Sequence, residues 1–290
     1  TIAASAMVLR GLATPEYRNI ADRSAPRLLT RLSQSIDGAM LQRIRHSGED
    51  VEMEFLFATL STRGILPAFT DAEVGLFGEQ PMRDKDLPEV FARVLEYVCG
   101  VLKVKVPPRI FNVDALDGDA RLADTRPQAL FVGPKLLLSN DTIELGFRLG
   151  RAMSFGTPGR LTGASRSGRQ LKPYLLACMA FARQALSGGE IEVVPIVEQL
   201  ESCDDPIRQR LKDLGTRLIR DRSAINLSAW SKSLSRTANR LSLLVSGDLL
   251  RVGRAIGEEE GGEAVEDLLE FALSVEHFDL REELGISSVV

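Results

Sequence analysis

Histidine is almost missing from this chain: His46 and His277 are the only two among 290 residues. A metal site built on paired imidazoles would need both of them to converge from distant positions. Cysteine is scarce too. Cys99, Cys178 and Cys203 are odd in number and widely spaced, the first two set in apolar runs. They read as buried reduced thiols, not as a disulfide framework or a zinc knuckle. No stretch reaches the roughly 18 to 20 apolar residues of a membrane span; YLLACMAFA, at 174–182, is about half that. A basic surplus is also lacking, and a net charge of −4 argues against a general nucleic-acid binder. The opening TIAASAMVLRG has no initiator Met and no charged stretch before a long apolar core. It is therefore not a signal peptide, and the chain reads as a piece of a longer protein.

Familiar catalytic motifs are absent as well. There is no G-x-S-x-G elbow, no Walker loop and no G-x-G-x-x-G after a strand. SGGE at 187–190 reads as a helix stop. Asp114, Asp117, Asp119 and Asp124 crowd one segment, but they lack the Gly and Glu positions of an EF-hand loop, so a solvated loop is expected.

What is present is mostly helical period. With 44% apolar residues the chain can bury a large core. Residues 27–45 and 50–66 read as two packed helices, ended near Gly64 and Pro67. After a polar link at 68–87, Leu87, Val90, Phe91, Val94, Leu95, Val98 and Leu102 make one apolar stripe. The period then changes: 109–113 and 128–133 read as short strands, and 135–139 as a third strand or the entry to the next helix. Beyond residue 155 comes a loop, GTPGRLTGASRSGR, and then helix to the end. Pro206 marks one start, with Ile207, Leu211, Leu214 and Leu218 inward; Leu227, Trp230, Leu234, Leu241 and Val245 line the next. His277, beside Glu276, reads as a helix-surface residue. The expected class is α+β, mostly α-helical, with a small β-sheet.

Two separated segments decide the functional reading. ELGFRLGRAMSF, at 144–155, follows a capping-box pair, Asp141 and Glu144, and buries Leu145, Leu149, Ala152 and Met153 on one face. Arg151 and Phe155 sit four apart on one side. The second segment is WSKSLSRTANRLSLLVSGD, at 230–248. Without further context both are simply core helices. Together, over about residues 88–255, they resemble zinc endopeptidases of the HtpX and CAAX-prenyl-protease type, the gluzincins. The first matches the strand, turn and capped helix that deliver HExxH there. The second matches S-R-x-x-E-x-x-A-D-R, through Ser231, Lys232, Ala238 and Arg240. The end of the chain is similar to a module that follows tetratricopeptide-repeat arrays in proteins of myxobacteria and their relatives.

The resemblance implies a zincin-like domain at 81–290 after an N-terminal helical segment at 1–80. It puts the first histidine on Arg151, the general-base glutamate on Ala152 and the second histidine on Phe155. The third ligand falls on Ser235 and the supporting aspartate on Asn239. Every functional position has changed. Zinc needs lone pairs from imidazole, thiolate or carboxylate; a guanidinium and a phenyl ring offer none, and alanine takes no proton. The expectation is a pseudoenzyme without metal or other cofactor, a protein–protein scaffold in the cytoplasm with no membrane span and no nucleic acid. The alternative is a hydrolase with an unrecognised non-zinc site. A buried Arg151 would need acceptors, with Asn239, Ser235 or a carboxylate on a neighbouring helix the nearest candidates. The segment from Gly159 to Lys172 offers a second surface: Arg160, Arg166, Arg169 and Lys172, unopposed by acid, suit an acidic partner.

Overall fold

Helices occupy most of the chain and one three-stranded sheet interrupts them near its middle, so the fold is α+β and mostly α. The computed structural model describes residues 2–23, 34–183, 193–221 and 226–286. In chain order, α1 (Ile2–Leu9), α2 (Pro15–Arg23), α3 (Gly38–Ile44), α4 (Val51–Thr62) and α5 (Glu89–Val101) precede the sheet. Then come β1 (Arg109–Asn112), β2 (Ala120–Ala123), β3 (Ala129–Val132), α6 (Pro134–Leu137) and α7 (Thr142–Met153). The remainder is α8 (Pro158–Ser165), α9 (Gly168–Arg183), α10 (Val194–Glu201), α11 (Asp205–Arg220), α12 (Leu227–Ser246), α13 (Leu249–Glu260), α14 (Gly262–Ala272) and α15 (Val275–Glu283).

These elements sort into two compact units that interleave along the sequence. The first holds Thr1–His46, Phe69–Gly156 and Ser235–Val290; the second holds Ser47–Ala68 and Thr157–Leu234. The division expected at residue 80 coincides with neither, because packing partners lie on both sides of it: α4 packs on α8, and α1 on α13.

In the first unit, local chemistry sets most boundaries. Asp37 caps α3 by accepting from Met40 N–H at 2.9 Å, so the single helix expected over 27–45 is broken there; its 27–33 portion lies outside the described residues. The stripe on α5 buries Phe91, Val94, Leu95 and Val98, joined by Val101. The 135–139 segment resolves as helix α6, since Pro134 fixes the first helical position. β2 was not expected: ARLA has little strand propensity, and pairing with β3 creates it.

The sheet order is β1-β3-β2, with β1 parallel and β2 antiparallel to β3. One face buries Phe111, Ala123, Ala129 and Phe131 under Leu76 of the 68–87 link. Leu122, Leu130 and Val132 are buried on the alternate positions. α7 packs against β2 and against α5.

In the second unit, α9 packs on α10 and α11. Leu211, Leu214 and Leu218 bury the inner face of α11, as their spacing predicts. The SGGE segment lies outside the described residues. No described helix is long and apolar enough to cross a membrane.

Candidate functional site

α7 starts where the sequence predicts. The Asp141 carboxylate accepts from Ile143 and Glu144 N–H, at 3.0 and 3.2 Å. The reciprocal half of the capping box is missing, because Asp141 N–H donates to Ser139 Oγ at 3.1 Å. Leu145, Leu149, Ala152 and Met153 are all buried, together with Gly146 and Gly150. A Cβ on Gly150 would stand 3.2 Å from Val245, which is how closely α12 crosses α7. That crossing brings the second motif to the first within one unit.

At this crossing Arg151 takes its place between two acids. It donates to Glu259 and Glu260, both at the C-terminal end of α13. Asn239, wholly buried, donates its amide to the same Glu260 oxygen at 3.1 Å. Arg148, one turn before Arg151, also donates to Glu259. Burial alone would raise the Glu259 carboxyl, but Arg148 and Arg151 outweigh it and hold it below the usual value. The Arg151 side chain is only 19% exposed. Its acceptors are thus the carboxylates of a neighbouring helix, while Asn239 joins them as a fellow donor.

The other aligned positions contribute less. Ala152 is buried. Ser235 lies on α12 and takes no part in the network. Phe155 lies outside α7, which ends at Met153; Phe155 N–H reaches back only to the Ala152 carbonyl, at 3.4 Å. The tightened last turn, followed by Gly156, moves Phe155 off the regular i,i+4 position expected for it. Arg240, one of the residues that carries the resemblance, binds Asp267 with two bonds of 2.5 and 3.2 Å and donates to the Ile44 and Arg45 carbonyls. It ties α12 to α14 and to the end of α3.

The two histidines stand apart in their chemistry. His46 Nε2 is 3.5 Å from the Asp267 carboxylate. His277 is 1% exposed, not the surface residue expected. It is enclosed by Phe271 and Phe278, with ring centroids 5.3 and 5.7 Å away. Burial first, and then the charge of Arg281, push its pKa down to about 4. No group of three or more His, Cys, Asp or Glu among the described residues could hold a metal ion. The thiols are not activated: burial pushes Cys99 up to about 11 and Cys178 up to about 12. The acidic segment disperses, with Asp117 on Lys135, Asp119 on the Ala120 N–H and Arg148, and buried Asp124 on Arg126.

The basic segment overturns its sequence reading. Residues 156–169 form α8 and the start of α9, not an open loop. Its glycines permit close packing: a Cβ on Gly159 would collide with the Glu54 backbone, and one on Gly163 with the Trp230 ring. Arg160 is 1% exposed and paired with the equally buried Glu49. Arg166 is buried and donates to the Pro67 carbonyl at 2.6 Å. Only Arg169 and Lys172 remain exposed.

Glu259 and Glu260 are the residues that sequence reasoning missed. The signal available was the acidic run Glu258–Glu260 closing a helix with an otherwise apolar face at Leu250, Val252 and Ile256. Acidic side chains at a helix C-terminus oppose its dipole, which marks them as needing a cationic partner. No family model matches this chain, and neither any curated protein nor any solved structure matches it.

Proposed function

We propose that this chain is a non-catalytic zincin-like module, a pseudoenzyme acting as a protein–protein interaction scaffold. The observation that carries the reading is the fate of Arg151. At the position where the resemblance puts a metal-binding histidine stands a guanidinium neutralised by Glu259 and Glu260, with Asn239 on the same carboxylate. A cation fixed between two carboxylates does by ion pairing what a metal does by coordination: it joins α7 and α13, with α12 attached through Asn239. A divalent ion there would have to displace a charge-assisted network. The strand, turn and capped helix ahead of Arg151 fit the same layout. Protein purified without chelator is expected to carry no stoichiometric zinc by elemental analysis. Added zinc should leave Tm unchanged, since only a ligand that binds the native state raises it. Tight zinc binding with a reproducible thermal shift, or peptide hydrolysis by the purified protein that is lost when the Arg151 cluster is mutated, would sink the reading.

A further inference from the structure

A cavity of ≈ 430 Å³ lies within the second unit, where α4 and α12 begin and α11 ends. Its size is that of a small-molecule pocket. Trp230 forms one wall. The residue is 4% exposed, and its indole Nε1 is buried without a hydrogen-bond partner. One face of the ring stacks on Phe57, with centroids 5.2 Å apart. The Cζ3–Cη2 edge is turned to Gly163, where an added Cβ would stand 2.5 Å away. The five-membered ring lies at the opposite end of an indole, so the end left to line the cavity is the one that carries Nε1. A buried tryptophan N–H ordinarily finds an acceptor, because a donor withdrawn from water and left unmet is destabilising.

The rest of the lining supplies donors and positive potential. Asn226 Oδ1 caps α12 by accepting from Ala229 N–H at 2.9 Å. The Asp50 carboxylate caps α4, accepting from Glu52 and Met53 N–H at 2.9 and 3.2 Å. Two helix N-termini, of 20 and 12 residues, therefore open on one space, and their dipoles favour negative charge there. Asp50 is the single acid among the described lining residues, and it is already engaged by those N–H groups and by Arg217 Nη2 at 2.9 Å. Arg217 Nη1 and Nε meet no acceptor among the described residues, and neither does Asn226 Nδ2. Buried Met53 and the Ala229 methyl add apolar surface.

We propose that this cavity binds a small carboxylate that carries an apolar group. The carboxylate accepts from Trp230 Nε1, Asn226 Nδ2 and the unengaged edge of Arg217, and the apolar group lies on Met53 and Ala229. Charge-assisted hydrogen bonds supply the preference for an acid, and burial of the apolar group supplies the rest of the affinity. The site is independent of the scaffold reading, since none of its residues belongs to the Arg151 network.

Trp230 is the only tryptophan in the chain, so its emission reports on this cavity directly. The test titrates the full chain with 3-phenylpropionate, with its neutral amide 3-phenylpropanamide, and with acetate. Phenylpropionate should change the Trp230 emission saturably and bind about ten-fold more tightly than the amide. Acetate, which has no apolar group to bury, should bind about ten-fold more weakly than phenylpropionate. Arg217→Gln, at a half-exposed ion pair that contributes little to folding, should weaken phenylpropionate several-fold and leave the amide unchanged. Trp230→Phe keeps an aromatic ring beside Phe57 and removes the N–H; thermal melts should show it losing most of the stabilisation that phenylpropionate gives the parent. Should that variant not fold, Arg217→Gln decides. No saturable change at millimolar phenylpropionate, equal affinities for acid and amide, or an Arg217→Gln protein that binds as the parent does would each overturn the inference.

Discussion

Two arginine–glutamate contacts, one in each unit, show how differently the same chemistry behaves. Arg160 and Glu49 form an ion pair with side chains 1% and 0% exposed, and Arg160 also donates to the Leu234 carbonyl at 3.5 Å. Arg151 shares Glu259 and Glu260 with Arg148 and Asn239, and its carboxylates stay 32% and 21% exposed. The buried pair has lost nearly all solvation, so no water can replace the charge partner that either loses. The shared cluster keeps some water and has several donors, so losing one leaves the rest partly satisfied. Both arginines follow glycines in their helices, Gly159 and Gly150, and in both places the missing Cβ lets a neighbouring helix approach. What separates them is enclosure.

The sharpest way to break the comparison is at the buried pair. Arg160→Ala should destabilise the fold by about 3–5 kcal/mol, because the enclosed Glu49 carboxyl loses its guanidinium partner. Replacing both, as Arg160→Met with Glu49→Leu, should recover most of that loss. Urea denaturation of the single and double variants reads both, and equal losses would mean that packing, not charge, holds the site.

Acid tests enclosure without mutation. The folded pKa of His277 is about 4, below the ordinary histidine value of 6.5. The unfolded chain therefore takes up a proton first as pH falls. Stability from neutral His277 is complete above pH 6.5 and declines until about pH 4, by about 3 kcal/mol. Stability measured against pH, with His277→Phe as the control that removes this slope, checks the sign and the size.

Arg151→Ala should cost less than the Arg160 change, about 1–3 kcal/mol, since Arg148 and Asn239 still serve Glu259 and Glu260. A loss equal to that of Arg160→Ala would erase the distinction between the two sites. Smallest of all is charge reversal at Arg169 and Lys172, both exposed on α9, which should fall within about 0.5 kcal/mol. Thermal melts of these two sets complete the series.

The sequence was readable where side-chain period and end chemistry act locally. The buried faces of α5, α7 and α11 follow from apolar spacing, and the α7 start from Asp141, because each helix needs one covered face and satisfied terminal N–H groups. The mostly helical α+β class follows from the same signals. Misreadings arose where a partner distant in sequence decided the outcome. Gly159 and Gly163 have a loop-like composition, yet they are packing positions because Glu54 and Trp230 stand against them. Ala120–Ala123 has no strand pattern of its own and becomes a strand only through β3. His277 carries no mark of burial beside Glu276; Phe271 and Phe278 enclose it.

The candidate site divides in the same way. By itself the sequence determined which residues stand at the positions that the resemblance compares: Arg151, Ala152, Phe155, Ser235 and Asn239. The identities alone remove imidazole and carboxylate from those positions. Only the tertiary structure decided that Arg151 meets Glu259 and Glu260, that Asn239 joins them, and that Ser235 and Phe155 do not. The reason is range. Helical period and capping act within a few residues, whereas the Arg151 pairs span more than a hundred and exist only once α7, α12 and α13 have packed.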